Sequence, residues 1–114
     1  MSILFKNLSA RPIYTAFAVS DPVTCSSFGE VLVKQWFVIP ADGQYWRVYD
    51  GDVRGPTFWA YAEAGSLSWS GSYATCLSSE PATFCRGSRM CLSPKYMSAF
   101  PTNGKPHQLL TFNP

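Results

Sequence analysis

The chain has 114 residues, enough for one hydrophobic core and too few for two. Nine Lys and Arg against seven Asp and Glu leave a net charge of +2 with no charged run, so nothing marks a basic footprint for nucleic acid, and no nucleic-acid partner is expected. Charged residues are 14% of the chain, aromatic ones 16% and hydrophobic ones 46%, the reverse of the balance that keeps a chain disordered.

Met1 to Leu8 reads MSILFKNL and lacks the apolar core and small-residue cleavage site of a secretory signal. Ile3 to Phe5 forms a first short strand, and Asn7 to Pro12 its turn, with Pro12 pre-setting a φ suited to re-entry into a strand. Asn7-Leu8-Ser9 also matches a glycosylation sequon, relevant if the chain is secreted by a eukaryote. Ile13 to Val19 is a second strand, with Ile13, Thr15, Phe17 and Val19 on one face and Tyr14, Ala16 and Ala18 on the other. Asp21-Pro22 ends it, and a loop to Glu30 carries Cys25. Val31 to Ile39 follows, expected to place Val31, Val33, Phe37 and Ile39 opposite Lys34 and Trp36. It is too short and too interrupted, by Lys34 and Gln35, to be one of the ~20-residue spans that cross a bilayer, so no transmembrane segment is expected.

Pro40 to Gly43 is a turn by composition and joins that strand to Gln44–Tyr49 as an expected hairpin. Asp50-Gly51-Asp52 and Arg54-Gly55-Pro56 break the chain. Thr57 to Glu63 then sets Phe58, Ala60 and Ala62 against Trp59, Tyr61 and Glu63. Leu67 to Ser70 is short, and Gly71 to Leu77 continues it past a glycine bend. Ser78 to Lys105 is loop-like, tethered by cysteines, and Leu109 to Phe112 closes the sheet. About seven short strands with frequent turns and no lasting helical period make residues 1–114 a single all-β domain, an antiparallel β-sandwich of Greek-key or jelly-roll type with a loop-rich, cysteine-containing C-terminal segment.

Chemistry is sparse. His107 is the only histidine, which excludes multi-histidine metal sites; a pairing of His107 with a cysteine nucleophile has no local motif behind it. Asp50-Gly51-Asp52 lacks the further oxygen donors of a calcium loop, and the spacing of Cys76, Cys85 and Cys91 lacks the close pair of a zinc knuckle. No catalytic residue, metal or cofactor is therefore expected, and no enzyme. The even cysteine count, Cys25, Cys76, Cys85 and Cys91, in a small aromatic-rich domain points to at least one disulfide and an oxidising, extracellular or envelope location.

The aromatic density is the informative feature. Phe17, Phe37, Phe58 and either Trp46 or Val48 suffice for much of a sandwich core. Tyr45, Tyr49, Trp59, Tyr61 and Trp69 remain as candidates for an outer binding face, where a carbohydrate, a lipid surface, a protein partner or a second copy could use them. A thick aromatic core is the competing use of the same residues.

One resemblance follows from order rather than periodicity. Phe5, Asn7, Pro12-Ile13-Tyr14 and Ala16, then Trp36-Phe37-Val38-Ile39, Gly43, Val48-Tyr49-Asp50-Gly51, Phe58-Trp59-Ala60-Tyr61-Ala62-Glu63, Trp69-Ser70-Gly71 and Cys76 together resemble the bacterial family called domain of unknown function 1036. The resemblance covers about residues 3–77. It implies a small secreted or envelope β-domain without assigned catalytic residues. Gln44-Tyr45 stands where members often carry a cysteine, so no disulfide pattern is carried over. The composite expectation is a non-enzymatic recognition or assembly module. Its rivals are a self-assembling subunit of a filament or particle and a membrane-active, lipid-binding or pore-forming sandwich.

Overall fold

A computed structural model describes residues 2–26, 30–51, 53–88, 91 and 94–114, Arg54 by its backbone alone. These described residues form ten strands: β1 (Ser2–Asn7), β2 (Ile13–Ser20), β3 (Val31–Ile39), β4 (Tyr45–Asp50), β5 (Arg54–Ala64), β6 (Leu67–Trp69), β7 (Tyr73–Thr75), β8 (Ala82–Cys85), β9 (Lys95–Pro101) and β10 (His107–Phe112). The protein is all-β, and no helix among the described residues is long and apolar enough to cross a membrane. A three-stranded sheet ordered β10-β1-β4 packs on a larger one ordered β7-β9-β5-β2-β3-β8, with β6 paired to β5. β1 and β10 run parallel, in register from Ser2 opposite His107 to Asn7 opposite Phe112.

The space between the sheets is filled as strand alternation requires. Ile13, Phe17 and Val19 of β2 and Phe58, Ala60, Ala62 and Ala64 of β5 meet Ile3 and Phe5 of β1 and Phe112 of β10. Phe17 is the hub, its ring centroid 6.4 Å from Phe5, 5.6 Å from Phe37 and 5.4 Å from Tyr49. Truncating such a fully buried ring costs about 3–5 kcal/mol.

The opposite face of the larger sheet is covered as well, because the sheet curls into a half-barrel. Its two outermost strands approach until the Arg86 guanidinium, just beyond β8, donates from Nε and Nη2 to the Ala74 carbonyl of β7 at 3.0 and 2.7 Å. Inside the curl lies a second core of Ala16, Ala18, Val33, Tyr61, Phe84 and Met97, with Trp36, Trp59, Tyr73 and Leu77 packed against it. The small residues of β2 make this possible. Ala16 lies opposite Tyr61 on one side and Gln35 on the other, leaving room for the Trp36 and Tyr61 rings to meet edge-on at 6.1 Å.

Two bulges set which side chains reach which core. In β3 the register passes from Thr15 opposite Phe37 to Ala16 opposite Gln35, so Trp36 is the extra residue. Val31 and Val33 consequently join the second core with Trp36, while Leu32, Phe37 and Ile39 join the first, which corrects the single face expected for Val31, Val33, Phe37 and Ile39. In β4 the pairing passes from Ile3 opposite Tyr49 to Leu4 opposite Arg47. Val48 and Tyr49 both reach the core, and Trp46 stays 45% exposed, which decides between Trp46 and Val48.

The chain path departs from simple hairpins. The β3–β4 hairpin does not form: the turn at 40–43 carries the chain across to the other sheet, where β4 pairs with β1. β7 does not extend β6 but pairs with β9. Gly71, between them, donates its amide to the Tyr96 carbonyl at 2.9 Å, and a Cβ there would lie 2.6 Å from the Met97 oxygen and the Ser98 Cα. That contact explains the glycine of Trp69-Ser70-Gly71. The segment 78–105, expected as loop, contains β8 and β9, which brings the strand number among the described residues to ten rather than about seven.

The turn after β1 is built around Asn7. Its Nδ2 donates to the Arg11 and Ile39 carbonyls at 2.8 and 3.0 Å, and its Oδ1 accepts from the Ser9 amide at 2.8 Å. Buried and committed to these bonds, Asn7 is unavailable as a glycan acceptor, and the sequon is structural. A disulfide joins Cys25, in the loop after β2, to Cys85 at the end of β8. It anchors the 78–105 segment as expected, across a loop of 60 residues rather than a local one; Cys76 and Cys91 lie outside that bond, both partly buried.

Candidate functional site

One rim of the half-barrel carries a row of side chains across four strands. Val38 of β3 and Glu63 of β5 are the register partners of Tyr14 on β2, and Lys95 at the start of β9 reaches Glu63 Oε2 at 3.9 Å. Behind the row stands Trp36. The far wall is the connection from β7 to β8, with Leu77, Ser78, Ser79 and Pro81. These residues enclose an open groove of about 660 Å³, within the ~300–1,000 Å³ usual for small-molecule sites. Tyr14 is 51% and Val38 55% exposed, large surfaces left in water at a concave site.

The wall is fixed rather than draped. Trp36 Nε1 donates to the Ser78 carbonyl at 2.7 Å, and the buried Gln35 side chain donates to Ser78 Oγ at 2.7 Å and to the Glu80 carbonyl while accepting from the Ser78 amide at 3.1 Å. Gln35, which interrupts the apolar pattern of β3, thus serves as the bracket for the connection. Beneath the row, Tyr61 donates its hydroxyl to Glu63 Oε2 at 3.2 Å. Burial, then the Glu63 charge and this hydrogen bond, push the Tyr61 phenol up to about 12, so at neutral pH it is a fixed donor orienting the carboxylate. The groove therefore offers aromatic and aliphatic walls, two serines, and one carboxylate–ammonium couple.

The five aromatic candidates do not form one face. Trp59 and Tyr61 do leave the inter-sheet core, but the face they occupy is the inside of the curl: Tyr61 is buried, and Trp59 stacks on Tyr73 at 4.5 Å, with Arg86 lying over the Tyr73 ring at 4.0 Å. Burial raises the Tyr73 phenol, opposed by the Arg86 charge. Trp69 donates Nε1 to the Asn113 carbonyl at 2.7 Å and packs on Phe112. Tyr49 packs against Phe17; Tyr45, 39% exposed, lies on the other sheet under Lys6. Of the five, only Tyr61 touches the groove's surroundings, from below.

Tyr14, Val38, Glu63 and Lys95 were not singled out by sequence reasoning. The available signal was Tyr14 itself, one large residue followed by Ala16 and Ala18 on the same face of β2. His107 pairs through Nδ1 with Ser2 Oγ at 2.7 Å. Among the described residues no group of three or more His, Cys, Asp or Glu could hold a metal ion, and Asp52 of the Asp50-Gly51-Asp52 turn lies outside them. No family model matches this chain, and neither a curated protein nor a solved structure does. The resemblance over residues 3–77 rests on its residues alone.

Proposed function

We propose that the chain is a non-enzymatic binding module whose ligand seats in the half-barrel groove, and that it works in an extracellular or envelope compartment. The observation that carries this reading is the preformed groove of about 660 Å³, braced by Gln35 and Trp36, with Tyr14 and Val38 held exposed at its lip. A rigid concave surface with a few convergent polar groups loses little entropy on binding. The Cys25–Cys85 disulfide supports the oxidising compartment. A residue-resolved fragment screen by NMR tests the seat. Shifts gathered on Tyr14, Val38, Leu77 and Lys95 support it; shifts gathered elsewhere, or none, refute it.

Assembly with copies of itself is the second reading, favoured by the outer strand β4, whose Tyr45 and Trp46 are 39% and 45% exposed at a sheet edge. A monomeric mass at high concentration removes it.

A further inference from the structure

We infer that the groove takes a neutral saccharide, held by stacking on Tyr14 and Trp36 and by hydrogen bonds to the Glu63–Lys95 couple; this rests on the groove being the binding seat. The charges decide against an ionic ligand. Glu63 and Lys95 stand 3.9 Å apart with a third to a half of each side chain exposed, so the site offers no unopposed charge. An anion drawn to Lys95 meets the Glu63 carboxylate, and a cation drawn to Glu63 meets the ammonium. A plain aliphatic chain is also a poor occupant, because covering the couple removes water from two charges and returns no hydrogen bond.

A sugar satisfies both halves of the groove. Each of its hydroxyls is donor and acceptor at once, so neighbouring hydroxyls can give to Glu63 and take from Lys95, which supplies three donors and no acceptor. Glu63 is held for this from below by Tyr61. The apolar C–H face of the sugar ring matches an aromatic surface. Trp36 is fixed by its Nε1 bond to Ser78, and Tyr14 stands exposed in the middle of the Val38–Tyr14–Glu63 row. Ser79 and the Tyr14 hydroxyl add neutral polar groups at the rim.

The test uses the whole chain with cellotriose, maltotriose and fully N-acetylated chitotriose as neutral saccharide probes, laurate and inorganic phosphate as non-saccharide probes, and NMR shifts together with tryptophan fluorescence as readouts. The expected result is that at least one trisaccharide saturates with shifts on the groove residues. Tyr14→Leu should weaken that affinity at least about tenfold and further than Tyr14→Phe does, and Glu63→Gln should weaken it at least about tenfold, with every variant still folded by its thermal melt. The Phe and Leu pair separates stacking from fold, since both fill the half-exposed site. Laurate or phosphate binding in the groove with no trisaccharide binding overturns the saccharide assignment and keeps the seat. No groove shift from any probe overturns both, and equal affinity of the Leu and Phe variants overturns the stacking role.

Discussion

Removing the Cys25–Cys85 bond should cost this protein a large part of its stability. The bond closes a loop of 60 residues, and in the chain-entropy treatment a loop of that length restricts the unfolded state by about 4 kcal/mol. It does so while fastening the end of β8, whose next residue, Arg86, spans the gap to β7. At about 4 °C per kcal/mol for a chain of this size, the melting temperature should fall by about 15 °C. The measurement is a thermal melt by circular dichroism of the oxidised protein, the same protein with a phosphine reductant, and the Cys25→Ser, Cys85→Ser double variant. The reduced protein and the variant should melt together, and the reductant should leave the variant unmoved. A fall below about 4 °C would mean that the loop is already restrained in the unfolded chain or that the bond does not form, and the reasoning would fail.

Gly71→Ala forces a Cβ to within 2.6 Å of the β9 backbone and should lower the urea midpoint by an amount worth about 1–3 kcal/mol or more; an unchanged midpoint would show that β9 yields freely. Asn7→Ala strands the Ser9 amide and the Ile39 carbonyl and should cost about 3 kcal/mol by the same assay, and the chain made in a glycosylating secretory host should show no added mass at Asn7 by peptide mapping. Tyr61 ionises at about 12 in the fold against 10.0 ordinarily, so its contribution is fully present below pH 10.0 and is lost as the pH rises to about 12, the unfolded phenol ionising first. Urea midpoints across that window should fall less steeply in Glu63→Gln, where burial still raises the phenol but the carboxylate's charge is gone; identical slopes would refute the coupling.

The strands themselves were legible because β-branched and aromatic residues alternate between Gly and Pro breaks, and Ile13–Val19 lies within β2 as read. Less legible was anything that depends on one extra residue. The bulges at Trp36 and Val48 shift faces without changing composition, and a count by twos cannot see them. The path was obscured for a similar reason: Pro40 to Gly43 carries the residues of a hairpin turn, yet β4 finds its partner in β1, a contact remote in the chain. β8 was hidden because it has four residues and lies at a sheet edge, and β9 because its seven residues, KYMSAFP, do not alternate cleanly between apolar and polar. Gly71 approaches β9 closely and the disulfide fastens the end of β8, contacts that the periodicity of neither strand announces.

The position of the groove follows from how size is distributed over β2 and β5. On the inter-sheet face β2 brings large side chains, Ile13, Phe17 and Val19, and beyond Phe58 β5 brings Ala60, Ala62 and Ala64 beside them. On the concave face the order is reversed, with Ala16 and Ala18 of β2 beside Trp59 and Tyr61 of β5. Each face therefore pairs a strand of large residues with a strand of small ones, so rings from one lie over methyls of the other and the sheet can curl without overfilling. Tyr14 breaks that order. By the pattern of β2 its position should be small; instead it carries a ring beside Glu63, a charged neighbour that cannot cover it, and Val38, itself exposed. The concave core ends where the small residues of β2 end. With Val38, the ring left half exposed at that boundary marks the rim where the proposed ligand seat opens.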